Sequence, residues 1–122
     1  MLNWHFGWWL ILSAFGTGAV IGLFFHKEDF LEGYSSFRRR LLRLGHISQA
    51  ALGMMNVLYS ISTPAVDSFD SQVASWGFIV GGIAMPTVCF LSAWKKDFRH
   101  LFFIPVVALM IGVIQTLRNG PP

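Results

Sequence analysis

Residues 6–25 read FGWWLILSAFGTGAVIGLFF, an unbroken run without a charged side chain. An α-helix rises about 1.5 Å per residue, so a hydrocarbon layer about 30 Å thick needs roughly 20 apolar residues to be crossed. Hydrocarbon offers the backbone no hydrogen-bond partner, and a crossing segment must therefore be helical. The run predicts a transmembrane helix.

Three further apolar runs follow, and the four together predict an all-α integral membrane bundle of four transmembrane helices. The chain is expected to form one transmembrane domain over residues 1–122, with spans at about 6–25, 41–61, 73–94 and 101–117. The composition agrees, since 54% of the residues are hydrophobic and 12% are charged, against about 25% charged residues in a soluble domain.

The positions of the basic residues predict the orientation of the bundle. Of nine Lys and Arg residues, eight lie in or beside the first and third connections: Lys27, Arg38, Arg39, Arg40, Arg43, Lys95, Lys96 and Arg99. The middle connection carries Asp67 and Asp70 and no basic residue. Because Lys and Arg accumulate on the cytoplasmic side, we expect cytoplasmic basic connections and outward-facing termini, as in a bacterial inner (plasma) membrane. The net charge of +3 is thus a topology signal, and nucleic acid is not an expected partner.

The first connection has a pattern of its own. Phe30, Tyr34, Phe37 and Leu41 recur at helical spacing with charged residues between them. Two structures fit this pattern. One is a short amphipathic helix between the first two spans, on the inner leaflet, with three arginines at anionic lipid headgroups. The other is a solvated loop, which Gly33 favours because glycine weakens helices.

The second span carries a polar stripe. Its members follow steps of three and four residues, which place them on one helix face: His46, Gln49, Gly53, Asn56 and Ser60. Polar residues in a span usually face the protein interior. The stripe predicts either hydrogen bonds between helices or the lining of a ligand site or translocation path.

Histidines suggest a cofactor near the cytoplasmic face. His46 lies on the second predicted span and His100 at the inner end of the fourth, at similar depth, and imidazole is a common haem ligand. The sequence predicts a b-type haem on these two residues, with Arg43 and Arg99 at its propionates. Gln49 is the candidate acceptor for the second imidazole nitrogen of His46. A quinone near His46, Arg43 and Tyr34 is the alternative, and no metal other than the haem iron is expected.

The function predicted from the sequence is that of a small non-enzymatic subunit of a larger membrane complex. No motif of soluble enzymes occurs, and all six carboxylates lie in connections, which disfavours ion-coupled transport. The expected partners are membrane lipids and other membrane subunits, and the host complex is expected to serve electron transport. The alternative is a homo-oligomeric transporter or channel for small molecules without an intramembrane carboxylate.

Overall fold

The computed structural model describes residues 2–63 and 68–121. Within them the protein is all-helical and forms no β-strand. The four α-helices of this part are α1 (Leu2–Phe25), α2 (Phe37–Ser62), α3 (Phe69–Trp94) and α4 (Phe103–Asn119), with short 3₁₀ helices at Phe30–Glu32 and Lys96–Phe102. Asp67 of the predicted middle connection lies outside the described residues.

Three helical segments of the described chain are long and apolar enough to cross a membrane: Leu2–Phe25, Phe69–Trp94 and Lys96–Asn119. The second predicted span is not among them. Its helix, α2, has 26 residues like α3, but it begins with a cluster of arginines and carries Gln49 and Asn56 on its buried face. These residues lower its apolarity below that of the other helices.

The helices pack in the order in which they follow along the chain. α2 lies between α1 and α3, and α3 lies between α2 and α4. α1 and α4 therefore form the two ends of a row, although α1 also touches α3. Because α2 has a helix on either side, its polar residues can face protein instead of lipid.

Glycines let the backbones approach closely at two crossings. A Cβ added at Gly53 of α2 would lie 2.8 Å from the carbonyl oxygen of Gly7 on α1. A Cβ at Gly77 of α3 would lie 2.8 Å from the backbone nitrogen of Gly112 on α4. Small residues at such crossings bring helix backbones into contact, which favours association of helices in lipid.

The first connection differs from the predicted amphipathic helix. Phe30 belongs to a 3₁₀ helix, whereas Phe37 and Leu41 belong to α2. Between them the backbone has positive φ at Leu31 (49°) and, beyond it, at Gly33 (102°). A helix cannot continue through left-handed residues, so the connection is a folded turn.

A buried arginine holds this turn in place. Arg39 is 1% exposed, and its Nε and Nη2 donate hydrogen bonds to the carbonyl oxygens of Phe30 and Lys27. The guanidinium also lies 5.1 Å from the ring centroid of Phe25. Arg39 is therefore turned inward, contrary to the expectation that all three arginines of this connection face lipid headgroups, because the turn itself offers acceptors and aromatic faces.

Candidate functional site

The polar stripe of α2 ends in a cluster that joins three helices. Asn56 is fully buried. Its Oδ1 accepts a hydrogen bond from Nδ2 of Asn3 on α1, at 2.8 Å, and its own Nδ2 donates to the carbonyl oxygen of Phe78 on α3, at 3.2 Å. Ser75 of α3 donates to Oδ1 of Asn3, and these hydrogen bonds join the three helices at the end remote from the first and third connections.

Both donor hydrogens of Asn56 are engaged within the protein. Its Nδ2 also donates to the carbonyl oxygen of Leu52, at 2.9 Å, and its oxygen accepts the hydrogen bond from Asn3. A buried amide whose groups are all paired stabilises and specifies a packing arrangement. This end of the stripe serves structure.

The middle of the stripe binds α1 in the same way. Gln49 is buried. Its Oε1 accepts from the hydroxyl of Thr17 at 2.6 Å, and its Nε2 donates to the hydroxyl of Ser13 at 3.2 Å. Gly53 supplies the close crossing with α1, and Ser60 donates to the carbonyl oxygen of Val57 in its own helix, at 2.6 Å.

His46 stands at the other end of the stripe and also faces α1. Its ring lies over Gly18, where an added Cβ would be 2.6 Å from the ring carbon Cε1 and 3.1 Å from Nε2. Its Nδ1 is 3.4 Å from the hydroxyl of Thr17. Since Thr17 donates to Gln49, its lone pairs are free to accept from an Nδ1–H of the imidazole. The absence of a side chain on Gly18 creates the space for this ring.

The residues predicted to bind a haem lie on different elements of the structure. His46 packs on α1, whereas His100 is exposed and lies in the 3₁₀ helix that precedes α4. Arg99 is exposed beside His100. The guanidinium of Arg43 lies over the ring of Tyr34, 4.2 Å from its centroid. Within the described residues, no hydrogen bond or ring contact joins His46 or Arg43 to His100 or Arg99.

Sequence reasoning missed the partners of the stripe on α1. Asn3 is hydrogen-bonded to Asn56, and Ser13 and Thr17 are hydrogen-bonded to Gln49. Each of the three α1 residues belongs to or borders the apolar run that marks the first span. A signal was present, because polar side chains in a span usually seek one another. Pairing the two sets required knowing that α1 and α2 run antiparallel in contact.

Two pockets lie near the stripe or the basic residues. An apolar groove of about 550 Å³ runs beside Ser13, Gly16 and Thr17 of α1 and reaches Leu42 and Phe90. A more polar pocket of about 270 Å³ lies at the basic end, between the start of α2 and the end of α3. Neither holds a group of three or more His, Cys, Asp or Glu side chains arranged for a metal, and no such group occurs elsewhere in the part of the chain that the structure describes.

No protein-family model, no curated protein and no solved structure matches this chain.

Proposed function

We propose that this protein is a small non-enzymatic integral membrane subunit that assembles with other membrane-spanning proteins through the outer face of α1. The observation that carries the proposal is the arrangement of the helices in a row, with α1 at one end. α1 buries only Asn3, Gly7 and Ala14 among its described residues, and it leaves a broad apolar surface exposed, which includes Trp9, Leu12, Phe15, Val20 and Leu23. A helix that is apolar all round and packed on one side suits a place between protein subunits or lipid.

The groove on α1 favours a protein helix as the neighbour. Gly16 lies in its lining, and a Cβ there would meet nothing within 4 Å. Small residues on an outward face let a second helix approach its backbone. Val20, which is 55% exposed, borders the same groove.

The alternative, a transporter or channel made from copies of this chain, has less support inside one protomer. The buried polar groups of Gln49 and Asn56 are hydrogen-bonded to neighbouring helices. A path for a polar solute needs groups that can exchange protein partners for the solute. Such a path would have to run between protomers.

Photocrosslinking in native membranes distinguishes these arrangements. A photoreactive residue at Val20 is expected to give a discrete adduct with a different protein, and the adduct should disappear with Gly16→Leu, which fills the groove. Ile83 on α3 is the matched control, since it is 54% exposed, and it should give lipid adducts. An adduct with the mass of two copies of this chain would favour the homo-oligomer, and lipid adducts at both positions would contradict assembly through α1.

We further propose that α2 is the fourth span, with both termini outside and the basic connections in the cytoplasm of a bacterial cell. Its support is the clustering of eight basic residues at one end of antiparallel helices. Topology reporters fused at Ser36, Ser68 and Gly120 should place Ser36 on the cytoplasmic side and the other two outside. A cytoplasmic result at Ser68 would reverse the orientation, and a shared side for Ser36 and Gly120 would rule out four spans.

A b-type haem or a quinone, and with it a role in electron transport, stays a prediction from the sequence. Absorption spectra of the oxidised and reduced protein test the haem directly. If His46 and His100 bind haem, the wild type shows a Soret band that His46→Ala or His100→Ala abolishes or shifts. A colourless protein from cells supplied with haem would refute haem binding, and His46 would then keep its packing role against Gly18.

A further inference from the structure

The pocket at the basic end combines cations, a hydroxyl and aromatic rings. It has a volume of about 270 Å³ and is lined by Arg38, Lys96, Ser92, Glu32, Phe37 and Trp94. The first turn of α2 forms one wall, and the end of α3 with the following 3₁₀ helix forms the other. The pocket is therefore built by two helices and does not depend on a single exposed loop.

Ser92 is the unexplained member of this pocket. It is 1% exposed, and its Oγ has no hydrogen-bond partner among residues 2–63 and 68–121. Buried polar atoms are nearly always paired, and an unpaired one calls for a missing partner such as a bound ligand. A hydroxyl can donate one hydrogen bond and accept two, which suits a ligand rich in oxygen.

Arg38 retains donors that the protein does not use fully. Its Nε donates to the carbonyl oxygen of Ala93 at 2.6 Å, which fixes the guanidinium against α3. Its Nη1 is 4.0 Å from Oε1 of Glu32, whose side chain is 72% exposed. An exposed pair at this distance contributes little, so the Nη groups are available to a stronger acceptor.

Lys96 supplies a second cation to the lining of the pocket. The ammonium of Lys96 lies 5.5 Å from the ring centroid of Phe37. Two cations against one carboxylate leave the pocket with an excess positive charge, and Arg40, Lys95 and Arg99 are near it in the sequence. A guanidinium and an ammonium together match the oxygens of a phosphate diester.

The aromatic rings indicate the level at which the pocket lies in the membrane. Trp94 ends α3, one of the helices suited to cross a membrane, and it is 76% exposed. Tryptophan prefers the level of the lipid headgroups. With Phe37, also exposed at 41%, it gives the pocket apolar flanks against which glycerol and the first acyl carbons of a lipid can pack.

We propose that this pocket binds the phosphate of an anionic phospholipid, held by Arg38, Lys96 and the hydroxyl of Ser92. The proposal is independent of assembly through α1, because no residue of α1 lines this pocket. It differs from general attraction to a negative membrane surface, since it assigns the binding to three particular side chains.

The test measures preference between two lipids in reconstituted full-length protein. Spin-labelled phosphatidylglycerol and phosphatidylcholine with the same acyl chains are compared by electron paramagnetic resonance. The wild type should prefer phosphatidylglycerol, and Arg38→Gln or Lys96→Gln should each reduce this preference about fivefold, as expected for a cation worth about 1 kcal/mol at a headgroup. Ser92→Ala should reduce the association of phosphatidylglycerol itself by about half or more, because one charge-assisted hydrogen bond to the phosphate is lost.

Arg40→Gln is the matched control. Arg40 is exposed, donates to the carbonyl oxygen of Ser35 and does not line the pocket, yet its loss changes the net charge equally. Its effect on the preference should be less than about twofold, given weak surface electrostatics. The Lys96 side chain has only the contact with Phe37 in the described structure, so Lys96→Gln keeps the test valid if the Arg38→Gln variant unfolds.

Three results would overturn the proposal. Equal losses for Arg38→Gln, Lys96→Gln and Arg40→Gln would assign the effect to a diffuse basic surface. Equal association of both lipids with the wild type would remove the site. Binding of inorganic phosphate that Arg38→Gln abolishes, together with a lipid preference that Arg38→Gln leaves unchanged, would assign the pocket to a soluble phosphate instead of a lipid.

Discussion

The α1–α2 interface and the α3–α4 interface, at the two ends of the helix row, are held together by different kinds of contact. α1 meets α2 through side-chain hydrogen bonds of Asn56 and Gln49 and through the crossing at Gly53. The crossing of α3 and α4 rests on backbone contact between Gly77 and Gly112 and on apolar packing around them. Hydrogen bonds specify which faces meet, whereas glycine contacts demand that no side chain intervene. The two interfaces should therefore fail under different substitutions.

The largest effect is expected at the glycine crossing. Gly77→Val should lower the free energy of unfolding by about 3 kcal/mol, since overpacking is costly where the obstacle is backbone. The first added carbon would lie 2.8 Å from backbone atoms of α4. Unfolding of the purified protein in mixed micelles, followed by circular dichroism, measures the change.

Gly16→Val is the control for that prediction. A Cβ at Gly16 meets nothing within 4 Å, so the change should stay within about 0.5 kcal/mol, as for ordinary surface substitutions. If both variants lose the same stability, helix propensity governs the result and the α3–α4 interface does not depend on close approach.

An intermediate effect is expected at the polar interface. Asn56→Ala should cost about 2 kcal/mol, because it removes the buried hydrogen bonds of Asn56 with Asn3 on α1 and with the carbonyl of Phe78 on α3 and opens a cavity. Ser60→Ala, which removes a hydroxyl bonded within its own helix, should be nearly neutral. Equal stability of the two variants in the same unfolding titration would show that the three-helix cluster does not hold α1.

The smallest effect is expected at Thr17, further along the α1–α2 interface. Thr17→Val keeps the shape of the side chain and removes its hydrogen bond to Gln49, at an expected cost of about 0.6 kcal/mol, the average for such bonds in membrane proteins. Thr116→Val on α4 is the matched control, since that hydroxyl donates to the carbonyl oxygen of Gly112 in its own helix. A loss at Thr116 as large as that at Thr17 would mean that interhelical hydrogen bonding does not distinguish the two ends of the row.

Much of the fold follows from local features of the sequence. The predicted spans at 6–25 and 73–94 correspond to α1 and α3, each of which begins about one turn earlier, and the span at 101–117 corresponds to α4, which is shifted toward the C-terminus. The predicted span at 41–61 is a helix, α2, whose apolarity is reduced by its arginines and buried amides. Periodicity identifies such helices reliably because each depends on residues close in sequence.

The candidate site could be predicted only in part. The spacing of Gln49 and Asn56 correctly placed both side chains on a buried face, but it did not identify Thr17 and Asn3 as their partners. The first connection shows a similar limit, since the periodicity of Phe30 and Phe37 suggested one helix. A buried Arg39 and left-handed residues instead fold the chain back.

The sequence by itself determined where the chain is helical, which segments are apolar and at which end the positive charge collects. These properties depend on composition and on contacts within a few residues along the chain. Only the tertiary structure decided that His46 packs over Gly18 and that Ser92 is buried beside Arg38. Such pairings join residues on different helices, and the rotation of each helix about its axis, which selects them, is set by the packing of its neighbours.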